Sequence, residues 1–267
     1  MHILKGYTKQ EISWMMYDWA NSAHSVIIVT LLPIFFDTVA GYTADSVSSM
    51  STWGYATSIA MLIVALAAPF LGVFGDIRGM RKKLFSFFML LGVAACAGMA
   101  FTPGMDFTSG PVAAGKVASL ILVLYIVSVI GFDASAIYYD AFLTDVTTED
   151  RMDKVSTMGY GLGYIGGSTI PLLIFLIMNL VGVPMLTCLA FVFGLTAVWW
   201  LAFSLPLLKN CEQTTGKPYE KGDVGASIKN VFTTMKEIGA DKPMLVYILS
   251  YFFYIDGVHT IISMSTS

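Results

Sequence analysis

Charged residues are scarce in this sequence of 267 residues. Asp, Glu, Lys and Arg together account for 12% of it, about half of the share that is usual in a soluble domain. Hydrophobic residues account for 56%. This balance excludes an ordinary soluble domain and predicts a polytopic membrane protein. The formal net charge of -3 does not suggest a nucleic-acid partner.

Cysteine and histidine are also rare, with three of each. The isolated thiols of Cys96, Cys188 and Cys211 offer neither a disulfide framework nor a metal-ligand cluster, so we expect them to be packing residues. Scattered histidines and isolated serines argue against a metal, a cofactor and an enzymatic activity. The first apolar segment is too long for a secretory signal and contains Asp18, so we expect it to remain as a membrane anchor.

Long apolar runs predict an all-α membrane protein with seven transmembrane helices. About 20 apolar residues suffice to cross a bilayer. Lys and Arg concentrate in the N-terminal tail and in the connections after the second, fourth and sixth helices, and Lys116 is the exception. By the positive-inside rule, this distribution predicts a cytoplasmic N-terminus. The predicted helices cover residues 12–36, 51–74, 84–102, 117–142, 155–179, 183–207 and 243–264.

The connection 208–242 is the long polar stretch of the sequence. Its first part, 210–223, is rich in Thr, Gly and Lys and predicts a flexible linker. Apolar residues then recur at helical spacing, which predicts an amphipathic helix on the cytoplasmic face. We therefore divide the chain into a six-helix bundle (1–207), a cytoplasmic linker with its helix (208–242) and the first helix of a second bundle (243–267).

Polar side chains form a stripe along the first predicted helix. Asp18, Asn21, Ser22 and Ser25 follow the i, i+3, i+4, i+7 spacing of one helix face. A charged residue at mid-bilayer costs roughly 2.5–3.5 kcal/mol, so such a stripe should face protein or water. The stripe predicts one wall of a transport pathway, although Asp18 could equally be a first-turn carboxylate stabilised by the helix dipole. His24 on this helix is expected to be a hydrogen-bonded packing residue.

Two carboxylates lie on nearly one face of the fourth predicted helix. Asp133 and Asp140 are seven residues apart, and Asp140 is close to the cytoplasmic end, where solvation alone would explain it. Asp133 has no cation within a helical turn, so we take it as the candidate for carrying a proton. On the fifth helix, Gly159, Gly163 and Gly167 are spaced for close helix approach, and we interpret them as a packing ridge.

The link between the second and third helices combines glycines, a carboxylate and several cations. Such a loop can set topology, and it can also close a cytoplasmic gate through charge-assisted hydrogen bonds. The spacing of Gly72, Asp76, Gly79 and Arg81 resembles the signature loop of the major facilitator superfamily, with Ile77 where that pattern usually has Arg. The resemblance implies a gate role for these four residues.

Four further stretches resemble the vacuole-effluxer branch of that superfamily, which includes autophagy-related vacuolar amino-acid exporters. The first, residues 17–23, is similar to the hallmark of its first helix. Residues 139–143, 155–167 and 254–260 follow in the same order along the chain. The stripe and this resemblance together assign the solute or ion pathway to Tyr17, Asp18, Asn21, Ser25, Asp133, Tyr139, Asp140 and Asp256.

Transporters of this superfamily have two six-helix halves with the substrate between them. The resemblance implies that this chain supplies the first half and one helix of the second, so we expect the remaining helices to be provided in cis or in trans. The implied function is secondary transport of small organic solutes, including amino-acid efflux, by alternating access coupled to protons or another ion. We expect a multi-pass protein of the cell membrane, with the vacuolar membrane as the alternative.

Two other functions remain open from the sequence. Methionine and aromatic residues are frequent along the chain and tolerate varied ligands, which would also suit a carrier of glycolipids or drug-like amphiphiles. Because the resemblance covers little of the second half, a membrane scaffold that does not transport is the other alternative.

Overall fold

The computed structural model describes residues 4–43, 46–218 and 223–264, with only the backbone described at 46–48, 223–224, 226–227, 256, 259–260 and 262–264. Its main elements are helices: α1 (Lys9–Ala40), α2 (Ser46–Gly75), α3 (Arg81–Met99), α4 (Pro111–Val146), α5 (Met152–Leu162), α6 (Thr169–Leu180), α7 (Met185–Asn210), α8 (Asp223–Ala240) and α9 (Lys242–Met264).

Six segments of the described chain are long and apolar enough to cross a membrane. They are α1, α2, α3, α4, the combined unit of α5 and α6, and α7, which confirms an all-α membrane protein and its first six predicted crossings. The seventh predicted crossing coincides with α9. The apolar stretch described there, Lys242–Ile255, is shorter than a full span, so a seventh crossing stays a prediction.

Helix α1 is the centre of the bundle. It begins with a capping box, in which the Glu11 backbone N–H donates to Thr8 Oγ1 at 3.1 Å and the Thr8 N–H donates to Glu11 Oε2 at 2.7 Å. At 32 residues it is about 48 Å long, more than the roughly 30 Å of the hydrocarbon core. It packs against α2, α4, α5, α6 and α7 and is the most buried of the spans.

Small residues allow α3, α4 and α7 to pack closely. A Cβ atom at Gly131 of α4 would collide with the backbone of Gly92 on α3. A Cβ atom at Gly92 would in turn collide with the indole ring of Trp200 from α7. In a membrane, helices associate largely through van der Waals packing, and small residues increase it because they let two backbones approach closely.

The fifth crossing differs from the uninterrupted helix predicted over 155–179. Between α5 and α6, residues Gly163–Ser168 form a π-helical segment, here called the π turn. Its wider turn moves the residues after it out of the register that a regular helix would give them. The glycine spacing of this stretch is visible in the sequence, but the change of helical type is not.

The linker also departs from the sequence-based expectation. The sequence predicts a flexible stretch over 210–223, yet Ile77 of the α2–α3 loop and Lys217 form a parallel β-bridge. Helix α8 covers the stretch for which the sequence predicts an amphipathic helix. Its Phe232 and Met235 are both 58% exposed, and the Phe232 ring meets Phe70 of α2 edge-on, with ring centroids 6.3 Å apart.

Candidate functional site

The polar stripe of α1 faces a cavity of about 240 Å³. Asp18 and Asn21 are only 7% and 9% exposed, so the α1 wall of the cavity lies within the bundle, whereas Asp140 on α4 is exposed. Helix α4, helix α5 and the π turn supply the other walls. The lining residues are Asp18, Asn21, Ser22, Ser25, Phe132, Ala136, Tyr139, Asp140, Tyr160, Tyr164 and Ser168.

Asp18 is held in place by an aromatic pair from α1 and α4. The Tyr139 hydroxyl donates a 2.8 Å hydrogen bond to Asp18 Oδ2. The Tyr139 ring stacks on Trp14 with centroids 4.3 Å apart, and Trp14 Nε1 donates to the Tyr139 carbonyl oxygen at 2.9 Å. Because the pair fixes the hydroxyl, one oxygen of the carboxylate is oriented while the group still lines the cavity.

The cavity is acidic. Asp18 and Asp140 contribute carboxylates, and none of its described lining residues is Lys, Arg or His. Asn21 adds an amide, while the aromatic rings of Tyr160 and Tyr164, which are 58% and 72% exposed, form part of the wall. Two carboxylates and two ring faces favour a positively charged group and disfavour an anion.

Glycines bring the π turn into contact with α1. A Cβ atom at Gly163 would lie 2.6 Å from Ser22 Oγ, and Cβ atoms at Gly159 and Gly166 would collide with Asp18 and the Trp19 ring. The packing interpretation of the glycine ridge is therefore confirmed. Sequence spacing did not identify Gly166, because the π turn brings it onto the ridge.

Three of the predicted pathway residues lie outside the cavity wall or cannot be placed on it. Tyr17 is fully buried behind the wall, where its hydroxyl and Ser135 Oγ share a 2.8 Å hydrogen bond. Asp133 is half-buried on α4 and does not line the cavity, whereas Phe132 beside it does. The side chain of Asp256 on α9 lies outside the described residues.

His24 is a packing residue, as expected, but the hydrogen bond predicted for it is not found. Its ring stacks on Phe132 with centroids 4.8 Å apart and contacts Trp200 at 5.2 Å. Among the residues that the structure describes, neither ring nitrogen finds a hydrogen-bond partner. His24 therefore packs against the ring of Phe132, and Phe132 in turn lines the cavity.

At the cytoplasmic end predicted from the charge distribution, Arg81 pairs with two carboxylates. Its guanidinium group is buried, forms an ion pair with Asp145 of α4 and lies 3.8 Å from Asp76 Oδ1. Arg81 Nη1 also donates to the Ala141 carbonyl oxygen at 3.0 Å. Gly79 has a φ of +81°, a backbone conformation that suits glycine.

The other glycine of the signature spacing, Gly72, has no comparable requirement. A Cβ atom there would meet no atom within 4 Å among the described residues. At Gly75, by contrast, a Cβ atom would lie 2.9 Å from the ring of Tyr138. The close approach of α2 and α4 thus depends on Gly75, which the signature spacing does not single out.

Sequence reasoning missed two carboxylates at this end of the bundle. The Asp145 side chain is fully buried beneath Arg81, and Glu11, with a side chain 2% exposed, is paired with Arg151 at 2.8 Å. Thr147 Oγ1 also donates to Glu11 Oε1 at 2.7 Å. Their signal in the sequence was an acidic residue at a helix end next to basic loops, but that pattern does not reveal which charges meet.

Comparisons with known proteins agree with the architecture. The family described as vacuole effluxer Atg22-like matches residues 40–267. The chain is also 41% identical, over 273 residues, to an uncharacterized MFS-type transporter of Bacillus subtilis strain 168, YxiO. That alignment covers 99% of this chain, including α1, and 61% of the relative. The chain thus spans about three fifths of the length of the curated relative that it matches.

The family match covers α2 to α9, and the match to the Bacillus protein extends over the cavity residues of α1. Six crossings, a signature loop with a buried arginine and an acidic recess along the central helix fit this relationship. The chain belongs to the vacuole effluxer Atg22-like family of MFS-type membrane transporters.

Proposed function

We propose that this chain forms the first half of a secondary transporter that works by alternating access, and that its acidic cavity is one wall of the solute pathway. The observation that supports this most is the convergence of the α1 stripe with Asp140 of α4 on one recess. Polar groups directed at lipid would cost several kcal/mol each, whereas a shared recess can keep them solvated or bound to solute.

The solute we propose is small and carries a protonated amine, as amino acids do. Asp18 and Asp140 offer carboxylate oxygens to an ammonium group, and Tyr160 and Tyr164 offer ring faces for cation–π contact. The carboxylate end of an amino acid needs a donor that the two acidic side chains cannot supply. Asn21 and the serine hydroxyls can donate hydrogen bonds, and a second half would provide any cation.

We further propose that a proton or another cation is coupled to transport through the same carboxylates. A carboxylate that holds an ammonium group in one state can hold a proton in the next, so the return of the empty carrier does not leave an unpaired charge in the membrane. Asp133, outside the cavity, remains our sequence-based candidate for a separate proton site. We place the N-terminus in the cytoplasm and the protein in the cell membrane.

Proteoliposomes that contain the full-length protein test this proposal. Uptake of a labelled amino acid is followed under an imposed pH gradient in the parent protein, Asp18→Asn and Asp150→Asn. Asp150 is an exposed carboxylate of the α4–α5 connection and serves as the matched control. We expect Asp18→Asn to lose most of the uptake and Asp150→Asn to retain it.

A competition series identifies the chemical group that is recognised. An amino-acid amide keeps the ammonium group and should compete for uptake, whereas the N-acetyl derivative lacks it and should not. Competition by neutral amphiphiles instead would favour the amphiphile-carrier alternative. Uptake that is no greater than that of empty liposomes for every solute would favour the scaffold. Full pH-driven uptake by Asp133→Asn would remove Asp133 from the coupling scheme.

A further inference from the structure

The seven residues after α7 lie along the cytoplasmic gate loop. This segment, Cys211–Lys217, is here called the strap. The Arg78 backbone N–H donates to the Lys217 carbonyl oxygen at 2.9 Å, and the Lys217 N–H donates to the Asp76 carbonyl oxygen at 3.0 Å. The strap is therefore fixed by backbone pairing to the loop that carries the signature residues.

One strap side chain, Gln213, holds both ends of that loop. Its Oε1 accepts the backbone N–H groups of Gly79 at 2.8 Å and Arg81 at 3.2 Å. Its Nε2 donates to the carbonyl oxygen of Gly75 at 3.0 Å. Gln213 thus satisfies three backbone groups where α2 ends and α3 begins, groups that water would otherwise have to satisfy.

Asp145 joins the strap to the buried arginine of the gate. Its Oδ1 accepts the backbone N–H groups of Thr214 at 2.9 Å and Thr215 at 2.8 Å, together with both threonine hydroxyls. Its Oδ2 pairs with Arg81. If the strap left, Asp145 would lose these four donors and the ion pair would be opened to water.

Further contacts attach the start of the strap to α1 and α3. The Cys211 side chain is fully buried, with Sγ 3.6 Å from the Gln10 carbonyl oxygen of α1. Lys82 Nζ donates to the Cys211 carbonyl oxygen at 3.1 Å. Just before the strap, Asn210 Nδ2 donates to Ser13 Oγ at 2.9 Å. The strap therefore joins α1, the α2–α3 loop, α4 and α7.

We propose that the strap is a releasable clasp of the cytoplasmic gate. Docked, it holds the gate loop and Asp145 in the closed arrangement, and its release frees the loop when the cytoplasmic side opens. Gln213 and the two threonines act as positioning residues in this device. The release step rests on the proposed function of alternating access, but the docking itself does not.

Labelling of Cys211 measures docking without any transport. In the full-length protein with Cys96→Ala and Cys188→Ala, Cys211 is the remaining cysteine among these 267 residues. A charged methanethiosulfonate reagent is applied to inverted membrane vesicles. Gln213→Ala should label at least about tenfold faster, because each of three lost hydrogen bonds is worth about a fivefold change in the docking equilibrium.

Glu212→Ala is the matched control for labelling. Glu212 is the neighbouring strap residue, has an exposed side chain and should leave the rate unchanged. Thr214→Ala removes one hydroxyl bond and should give a smaller increase than Gln213→Ala. Equal labelling rates for Gln213→Ala and Glu212→Ala, with equal amounts of protein in the membrane, would overturn the clasp.

A reversible cross-link tests the release. In a background without the native cysteines, Ile77→Cys and Lys217→Cys place thiols at the paired positions of the β-bridge. Oxidation should stop uptake, reduction should restore it, and each single-cysteine variant should be insensitive to oxidation. Full uptake with the cross-link formed would refute release. Failure of the uncross-linked parent to transport anything would instead refute the proposed function, and the Cys211 labelling would still decide whether Gln213 holds the strap.

Discussion

Replacing Gly167 with alanine should push the π turn away from α1 and destabilise the bundle. A Cβ atom at this position would collide with the Trp19 carbonyl oxygen and lie 2.9 Å from the Ser22 Cβ atom. Neither obstacle is the end of a flexible side chain. The Trp19 carbonyl also accepts a 3.0 Å hydrogen bond from Trp199 Nε1, so its displacement would strain a contact between α1 and α7.

The size of the effect follows from overpacking. Forcing an extra carbon into a well-packed interior typically costs about 1–3 kcal/mol. For a chain of this length, each kcal/mol corresponds to roughly 2–4 °C in the melting temperature, so Gly167→Ala should melt about 2–12 °C lower. Since Ser22 and Ser168 line the cavity on the two sides of this contact, uptake should also decrease.

Gly161→Ala is the matched control on the same crossing. A Cβ atom at Gly161 would meet no described atom within 4 Å, and alanine favours a helix by up to about 1 kcal/mol over glycine. Melting of the purified protein in detergent is followed by the fraction that remains monodisperse after heating. If Gly167→Ala melted at or above the temperature of Gly161→Ala, the close approach of the π turn and α1 would be wrong.

Three further predictions concern single contacts. Tyr139→Phe removes the hydroxyl that donates a hydrogen bond to Asp18 in the cavity. In proteoliposome uptake, the half-saturating concentration of an amine solute should rise about 3–10-fold. An unchanged value would contradict a role for Tyr139 in orienting Asp18. Glu11→Gln leaves the partly exposed Arg151 without its ion pair and should lower the melting temperature below that of the exposed control Glu149→Gln. Equal melting temperatures would contradict a stabilising role for this pair. Burial raises the pKa of the Cys211 thiol to about 12, so its labelling in the docked strap should be slow at both pH 7 and pH 8.5. A released strap should react readily near pH 8.5, and fast labelling of the parent protein at that pH would contradict the burial of this thiol.

Local patterns were sufficient to predict most of the helices. Hydropathy located the first six crossings, and the helical spacing of polar residues on α1 correctly grouped Asp18, Asn21 and Ser25. Both properties are encoded within single segments of 24 to 36 residues, because a helix in lipid must satisfy its own backbone and hide its polar face. The dispersed motifs that resemble the family led to the same fold, and the family match agrees with them.

The rotation of one helix against another was not predictable in the same way. Asp133 and Asp140 lie on nearly one face of α4, yet Asp140 lines the cavity and Asp133 does not. The rotation of α4 relative to α1 decides between them, because Phe132, one residue before Asp133, does line the cavity. The π turn likewise arises where Gly163 and its neighbouring glycines meet α1, and a spacing rule for a regular helix cannot anticipate it.

The sequence by itself determined that this is a helical membrane protein of a transporter family, with a polar face on its first helix and a charged loop after its second. The tertiary structure alone decided which polar groups meet. Asp145, Arg81 and Gln213 are separated by 64 to 132 positions along the chain, and the composition of the strap predicts only a flexible segment. Hydropathy and spacing describe one helix at a time, whereas such contacts depend on how helices pack and on where loops end.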